Sequence, residues 1–107
     1  MGKESKIGVI LILLDELLNK KEDIYRIVEK NKGSQVKVFG STVTGSATDQ
    51  SDIDILVKFR LDATLFDLVE IKLELESLLN KRVDVVSENG LKDNEIGNSI
   101  KRSAVLI

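Results

Sequence analysis

The stretch that decides the fold is Val38-Phe39-Gly40-Ser41-Thr42-Val43-Thr44-Gly45, followed after a short polar gap by Ser51-Asp52-Ile53-Asp54-Ile55-Leu56-Val57. An apolar, β-like run reaches a Gly-Ser turn, and a second glycine lies five residues beyond the first. A new strand then opens with two aspartates separated by a single residue. Side chains alternate along a strand, so Asp52 and Asp54 share one face. Asp is depleted in strands, and Asp54 sits between two isoleucines; its carboxylate needs a cation, hydrogen-bond donors or water. Two carboxylates on one face, close to a turn rich in backbone N–H groups, suit a divalent metal and a phosphate chain. Gly40 takes a positive φ freely and lets the backbone approach a ligand closely.

Working outward, Gln35 to Phe39 reads as a strand with Val36 and Val38 on one face and Lys37 and Phe39 on the other. Asp52 to Phe59 is a second strand. Ile53, Ile55, Val57 and Phe59 lie opposite Asp52, Asp54, Leu56 and Lys58. Upstream, Ser5 to Leu18 has helical spacing through Ile10, Leu13, Leu14, Leu17 and Leu18. Val9, Leu11 and Ile12 make it apolar on more than one side, as in a helix buried on several faces or one that meets a partner or second copy. Glu22 to Asn31 is a further helical stretch with Ile24, Ile27 and Val28 as its buried stripe, either separate or continuous with the first. Gly33 reads as the helix stop.

Downstream, Thr64 to Asn80 is the clearest helix, with Leu68, Ile71, Leu75, Leu78 and Leu79 as its apolar stripe. Asp67, Glu70 and Glu74 are assigned to the opposite side, and Thr64 with Asp67 has the form of an N-terminal cap. Arg82 to Ser87 is a third strand in which Asp84 repeats the anomaly of Asp54. Leu91 to Arg102 can form a last helix on Leu91, Ile96 and Ile100, and Ala104 to Ile107 a short terminal strand. Helices interleaved with strands predict a two-layer α/β fold of the α+β kind, as a single domain over residues 1–107.

Composition narrows the chemistry. The 107 residues include no cysteine and no histidine, which removes thiol nucleophiles, Cys/His zinc sites and imidazole bases. Acid–base or metal chemistry must then rest on carboxylates, lysines, hydroxyls or the single Tyr25. A net charge of −2 and a pI near 5.2 disfavour nucleic acid as the main partner. No apolar run approaches the ~18–20 residues that span a bilayer, and a cytoplasmic location is expected.

Asp84 on a strand neighbouring Asp52 and Asp54 would make three carboxylates that repel one another without a cation. A structural ion pair through Lys58 or Arg60 is the alternative. A calcium loop fails, because from Asp49 or Asp52 the sixth-position glycine and closing glutamate are missing. A P-loop fails, because Gly40 is not followed by a Gly-Lys-Ser/Thr ending.

Gly40-Ser41, Gly45, Ser51-Asp52-Ile53-Asp54 and the Val-Asp-Val setting of Asp84 together resemble the nucleotidyltransferase superfamily that includes DNA polymerase β. Its smallest members, the minimal nucleotidyltransferases, are most similar. The resemblance implies a polymerase β-like fold with a small mixed sheet. It also implies two Mg²⁺ ions held by Asp52, Asp54 and Asp84, and ATP or another nucleoside triphosphate with its phosphates at Gly40, Ser41 and Gly45. Such a chain transfers a nucleotide monophosphate, and with no acceptor domain expected in 107 residues, a partner supplies the hydroxyl. Minimal members commonly pair with HEPN-type proteins as antitoxins, so a HEPN-type partner follows, with a homo-oligomer through the first helix as a further possibility. The sequence departs from many minimal members at Thr42 and Thr44, where they carry arginine. An alternative reading is therefore a binding module that neutralises its partner by docking.

Overall fold

The computed structural model describes residues 15–40 and 52–107. Residues 15–19 are helical, and Lys20 separates them from α1 (Lys21–Lys30). The elements that follow are β1 (Gly33–Phe39), β2 (Ile53–Phe59), α2 (Leu65–Leu79), β3 (Val83–Ser87), a single 3₁₀ turn (Glu88–Gly90), α3 (Glu95–Ser103) and β4 (Val105–Leu106). Most of the helix expected from Ser5 to Leu18, and the turn from Ser41 to Gln50, lie outside the described residues. The break at Lys20 resolves the choice between one long helix and two in favour of two.

The sheet order is β3-β2-β1-β4. β1 runs antiparallel to both β2 and β4, whereas β2 and β3 are parallel. A parallel pair needs a crossover, which α2 supplies. The two-residue period of the strands decides the layers. Val36, Val38, Ile53, Ile55 and Val57 turn to one face and join Ile24, Val28, Ile71, Leu75 and Leu79 from the helices in one core. Each of these side chains is almost wholly removed from water, contributing about 1.5–3 kcal/mol apiece as an upper estimate. The result is a sheet with α1 and α2 on one face: the expected α+β architecture.

Local chemistry sets the element ends. At the start of α2, the Asp67 carboxylate accepts the Thr64 backbone N–H at 2.8 Å, completing the expected capping box. Asn80 closes the helix in the left-handed region at φ 55°. Lys20 donates from Nζ to the Leu78 carbonyl at 3.2 Å, a cation at the negative end of the α2 dipole. α1 does not stop on Gly33. The left-handed residue is Lys32, at φ 69°, and Gly33 already belongs to β1. Gly33 is there for space: an added Cβ would collide with Val28 Cγ1 and lie 2.9 Å from Val57 Cγ1.

Two further expectations are corrected. The last helix begins at Glu95 rather than Leu91, because the Asn94 side chain accepts the Gly97 N–H at 2.8 Å and acts as its N-cap. Ile96, assigned to its apolar stripe, is 74% exposed. The outer side of α2 is not simply acidic either. Leu65, Phe66, Val69 and Leu73 recur there at helical spacing, all exposed, with the fully exposed Leu61 just before them.

Candidate active site

The two anomalous strand aspartates meet. In the parallel β2–β3 ladder Asp54 is the register partner of Asp84, so the carboxylates sit on adjacent strands about 4.8 Å apart in backbone spacing. Both lie on the sheet face away from the main core, since their neighbours Ile53, Ile55 and Val83 point into it. Asp52 precedes β2 and is partly exposed, Asp54 is partly buried, and Asp84 is exposed.

Burial holds the Asp54 carboxyl above its ordinary value, reinforced by the charge of Asp84, then that of Asp52, then a hydrogen bond with Asp84. These causes share one sign: each disfavours a lone negative charge at Asp54. None of the ion pairs between described residues involves Asp52, Asp54 or Asp84. The structural ion pair considered for them through Lys58 or Arg60 is therefore not formed. On β1, Lys37 is instead paired with Glu88, at 3.4 Å.

Gly40 closes the site from β1. Phe39 is the β1 partner of Asp54, and the chain leaves the strand at Gly40 with φ +74°. A Cβ added there would collide with Asp54 Oδ2. The glycine is thus required twice, by its backbone angle and by the carboxylate packed against it. Ser41 and Gly45, the other expected phosphate contacts, lie outside the described residues.

Hard carboxylate oxygens with no cationic partner among the described residues fit a hard divalent cation by donor type. Among the described residues no three carboxylates form a closed metal-ligand cluster, so the fit rests on the Asp54–Asp84 pair and on Asp52 near it. Sequence reasoning missed the groups behind Asp84. Glu76 and Lys72 of α2 both reach the backbone of Val83, at 3.1 and 2.7 Å. Their i, i+4 spacing was visible, but their target was not.

Comparison with known proteins assigns the chain to a family. Residues 18–107 match the nucleotidyltransferase domain family. The protein adenylyltransferase MntA of Thermococcus cleftensis is 40% identical over 73 residues, 68% of this chain and 73% of that protein. A solved structure assigned to a minimal nucleotidyltransferase superposes with a TM-score of 0.76 at 37% identity, over 88% of this chain and 95% of its own. A crystal structure of a toxin–antitoxin with AMP-PNP gives a TM-score of 0.56 at 27% identity, over 66% of this chain and 59% of its own.

Proposed function

The chain belongs to the nucleotidyltransferase domain family, and from that premise we propose that it moves AMP from ATP onto a hydroxyl of a partner protein, acting as the antitoxin of a HEPN-type toxin. The observation that carries this reading is the side-by-side placement of Asp54 and Asp84, with Gly40 turned against Asp54. The names of the relatives support the acceptor class: one is a protein adenylyltransferase, another a toxin–antitoxin with AMP-PNP. The exposed apolar side of α2 supports a protein partner, because monomeric proteins seldom leave such a patch uncovered.

In this reading Asp52, Asp54 and Asp84 hold Mg²⁺, which supplies charge neutralisation for the triphosphate and the departing pyrophosphate. Gly40, Ser41 and Gly45 receive the β- and γ-phosphates through backbone N–H groups and the Ser41 hydroxyl. Asp84, the most exposed of the three carboxylates, accepts the proton of the incoming hydroxyl. The acceptor oxygen forms a bond to the α-phosphorus as the bond to the β-phosphate bridging oxygen breaks, and pyrophosphate leaves. Positioning and electrostatics supply most of the rate. An ATP substrate makes the cytoplasm the place of action.

Thr42 and Thr44 favour a second reading, docking with weak catalysis, because cations found there in many minimal members are missing. Labelled ATP, Mg²⁺ and the product of the neighbouring gene, tested as the toxin, separate the two, with an Asp52→Asn/Asp54→Asn variant alongside; a neighbour that is not HEPN-like overturns the toxin–antitoxin assignment. Label on the toxin that depends on the aspartates is the expected result. Toxin neutralised equally by the variant, with no label transferred, leaves docking alone.

A further inference from the structure

Val83 opens β3, and β3 lies at one edge of the sheet. The residue before it turns inward: the Arg82 carbonyl accepts the Ile53 N–H at 2.9 Å. By the alternation of a parallel ladder, the N–H and C=O of Val83 face away from β2. Such groups are normally left to water or to another chain. Here they are taken by α2. Glu76 Oε2 accepts the Val83 N–H at 3.1 Å, and Lys72 Nζ donates to the Val83 carbonyl at 2.7 Å. The two side chains are themselves paired at 2.9 Å. One ion pair thereby does for the outer side of Val83 what a further strand would do.

The consequence falls on the next residue. The Val83 carbonyl belongs to the planar peptide that leads into Asp84, so fixing that plane restricts the direction of the Asp84 side chain. Asp84 is exposed on an edge strand and is the register partner of Asp54, so the two repel each other whenever both are ionised. We infer that Lys72 and Glu76 are positioning residues that hold Asp84 in register with Asp54 for a divalent cation. This rests on the reading of Asp54 and Asp84 as metal ligands.

Mn²⁺ binding, followed by electron paramagnetic resonance of the free ion, tests it together with amide hydrogen exchange at Val83 and Asp84. Glu76→Ala is expected to weaken Mn²⁺ binding about 10-fold, the lower end for residues that support metal ligands, and to speed exchange of the Val83 amide. Lys72→Met weakens binding in the same direction. Glu76→Gln keeps an oxygen acceptor for the Val83 N–H and recovers most of the affinity. Glu74→Gln is the control: it breaks the 2.7 Å pair with Lys30 between α1 and α2, lowering melting temperature without changing Mn²⁺ affinity. Wild-type affinity in Glu76→Ala, or an equal loss in Glu74→Gln, overturns the inference while leaving the metal reading intact. If Glu76→Ala does not fold, Lys72→Met and Glu76→Gln decide by the same readouts. A wild-type chain that binds no Mn²⁺, or binds it equally after Asp54→Asn, overturns the metal reading itself.

Discussion

β2 and β3 each present one carboxylate of the candidate site, and they hold it by different means. β2 is a central strand, paired with β1 on one side and β3 on the other, and its residues Ile55, Leu56 and Val57 are wholly buried. Its position is settled by ladders and core packing, so it tolerates a partly buried carboxylate at Asp54. β3 has one strand neighbour and only partly buried side chains from Val85 to Ser87. Its outer side, at Val83 just before Asp84, is held by side chains from α2 instead of a strand. The lesson is that a charged pair can be divided between a rigid strand and an adjustable one. The rigid member bears the cost of burial, and the edge member remains open to solvent and substrate.

Removing the charge on the rigid strand tests this division most strongly. Asp54→Asn is expected to lower nucleotidyl transfer by about 10²–10³-fold, the scale of losing one preorganised electrostatic contact, measured as initial rates of label incorporation. The same variant without metal should melt at a higher temperature than the wild type, because Asn relieves the burial penalty and the repulsion from Asp84 and Asp52. Asp84→Asn should lose comparable activity with a smaller rise in melting temperature, since its carboxylate is exposed.

The next contrast compares two register partners. Ile55 and Val85 lie opposite each other in the ladder, one wholly buried and one only partly. Ile55→Ala should destabilise by about 2–5 kcal/mol and Val85→Ala by roughly 1 kcal/mol, read from urea unfolding midpoints. Equal losses would mean that β3 is as deeply anchored as β2.

How far these features were legible in the sequence depends on their range. The faces of β1 and β2 follow from alternation, as Val36, Val38, Ile53, Ile55 and Val57 demonstrate. The α2 cap was equally visible, because Thr64 and Asp67 are three residues apart and act locally. Leu56 shows where the pattern stops: alternation assigns it to the aspartate face, yet it is completely buried there. A period of two states which way a side chain points and not what covers it. Ile96 failed for a related reason, since three apolar residues in a short segment did not outweigh the capping chemistry of Asn94. The meeting of Asp54 with Asp84 needed the parallel order of β2 and β3, which no local signal encodes. Lys32 adopts the left-handed angle assigned to Gly33 because the glycine was needed one position later for packing.

Gly40→Ala acts on β1 as it approaches the rigid strand. Its left-handed angle and the collision with Asp54 Oδ2 should together cost about 1–3 kcal/mol, measurable by thermal unfolding. A variant that displaces Asp54 should also bind Mn²⁺ more weakly. Unchanged stability would show that β1 yields at this point, and that β2 is less firmly held than its two ladders imply.

The smallest effect concerns the adjustable strand and its dependence on pH. The Val83 N–H, and then Lys72, hold the Glu76 carboxyl below its ordinary value of 4.5. A carboxyl lowered on folding adds stability that is complete above its unfolded value and is lost as pH falls through its folded value. The wild-type melting temperature should therefore decline between about pH 5 and pH 3, and Glu76→Gln should flatten part of that decline. Glu74 is lowered in the same direction, chiefly by its hydrogen bond with Lys30, so Glu74→Gln should flatten the profile as well. The two differ in where acid acts. Protonating Glu76 loosens the backbone of Val83, whereas protonating Glu74 loosens the contact between α1 and α2. Val83 amide exchange in the wild type should accelerate on acidification relative to its intrinsic rate, and in Glu76→Gln it should not. If both proteins behave alike, β3 is held by its ladder with β2 and the contrast between the two strands disappears.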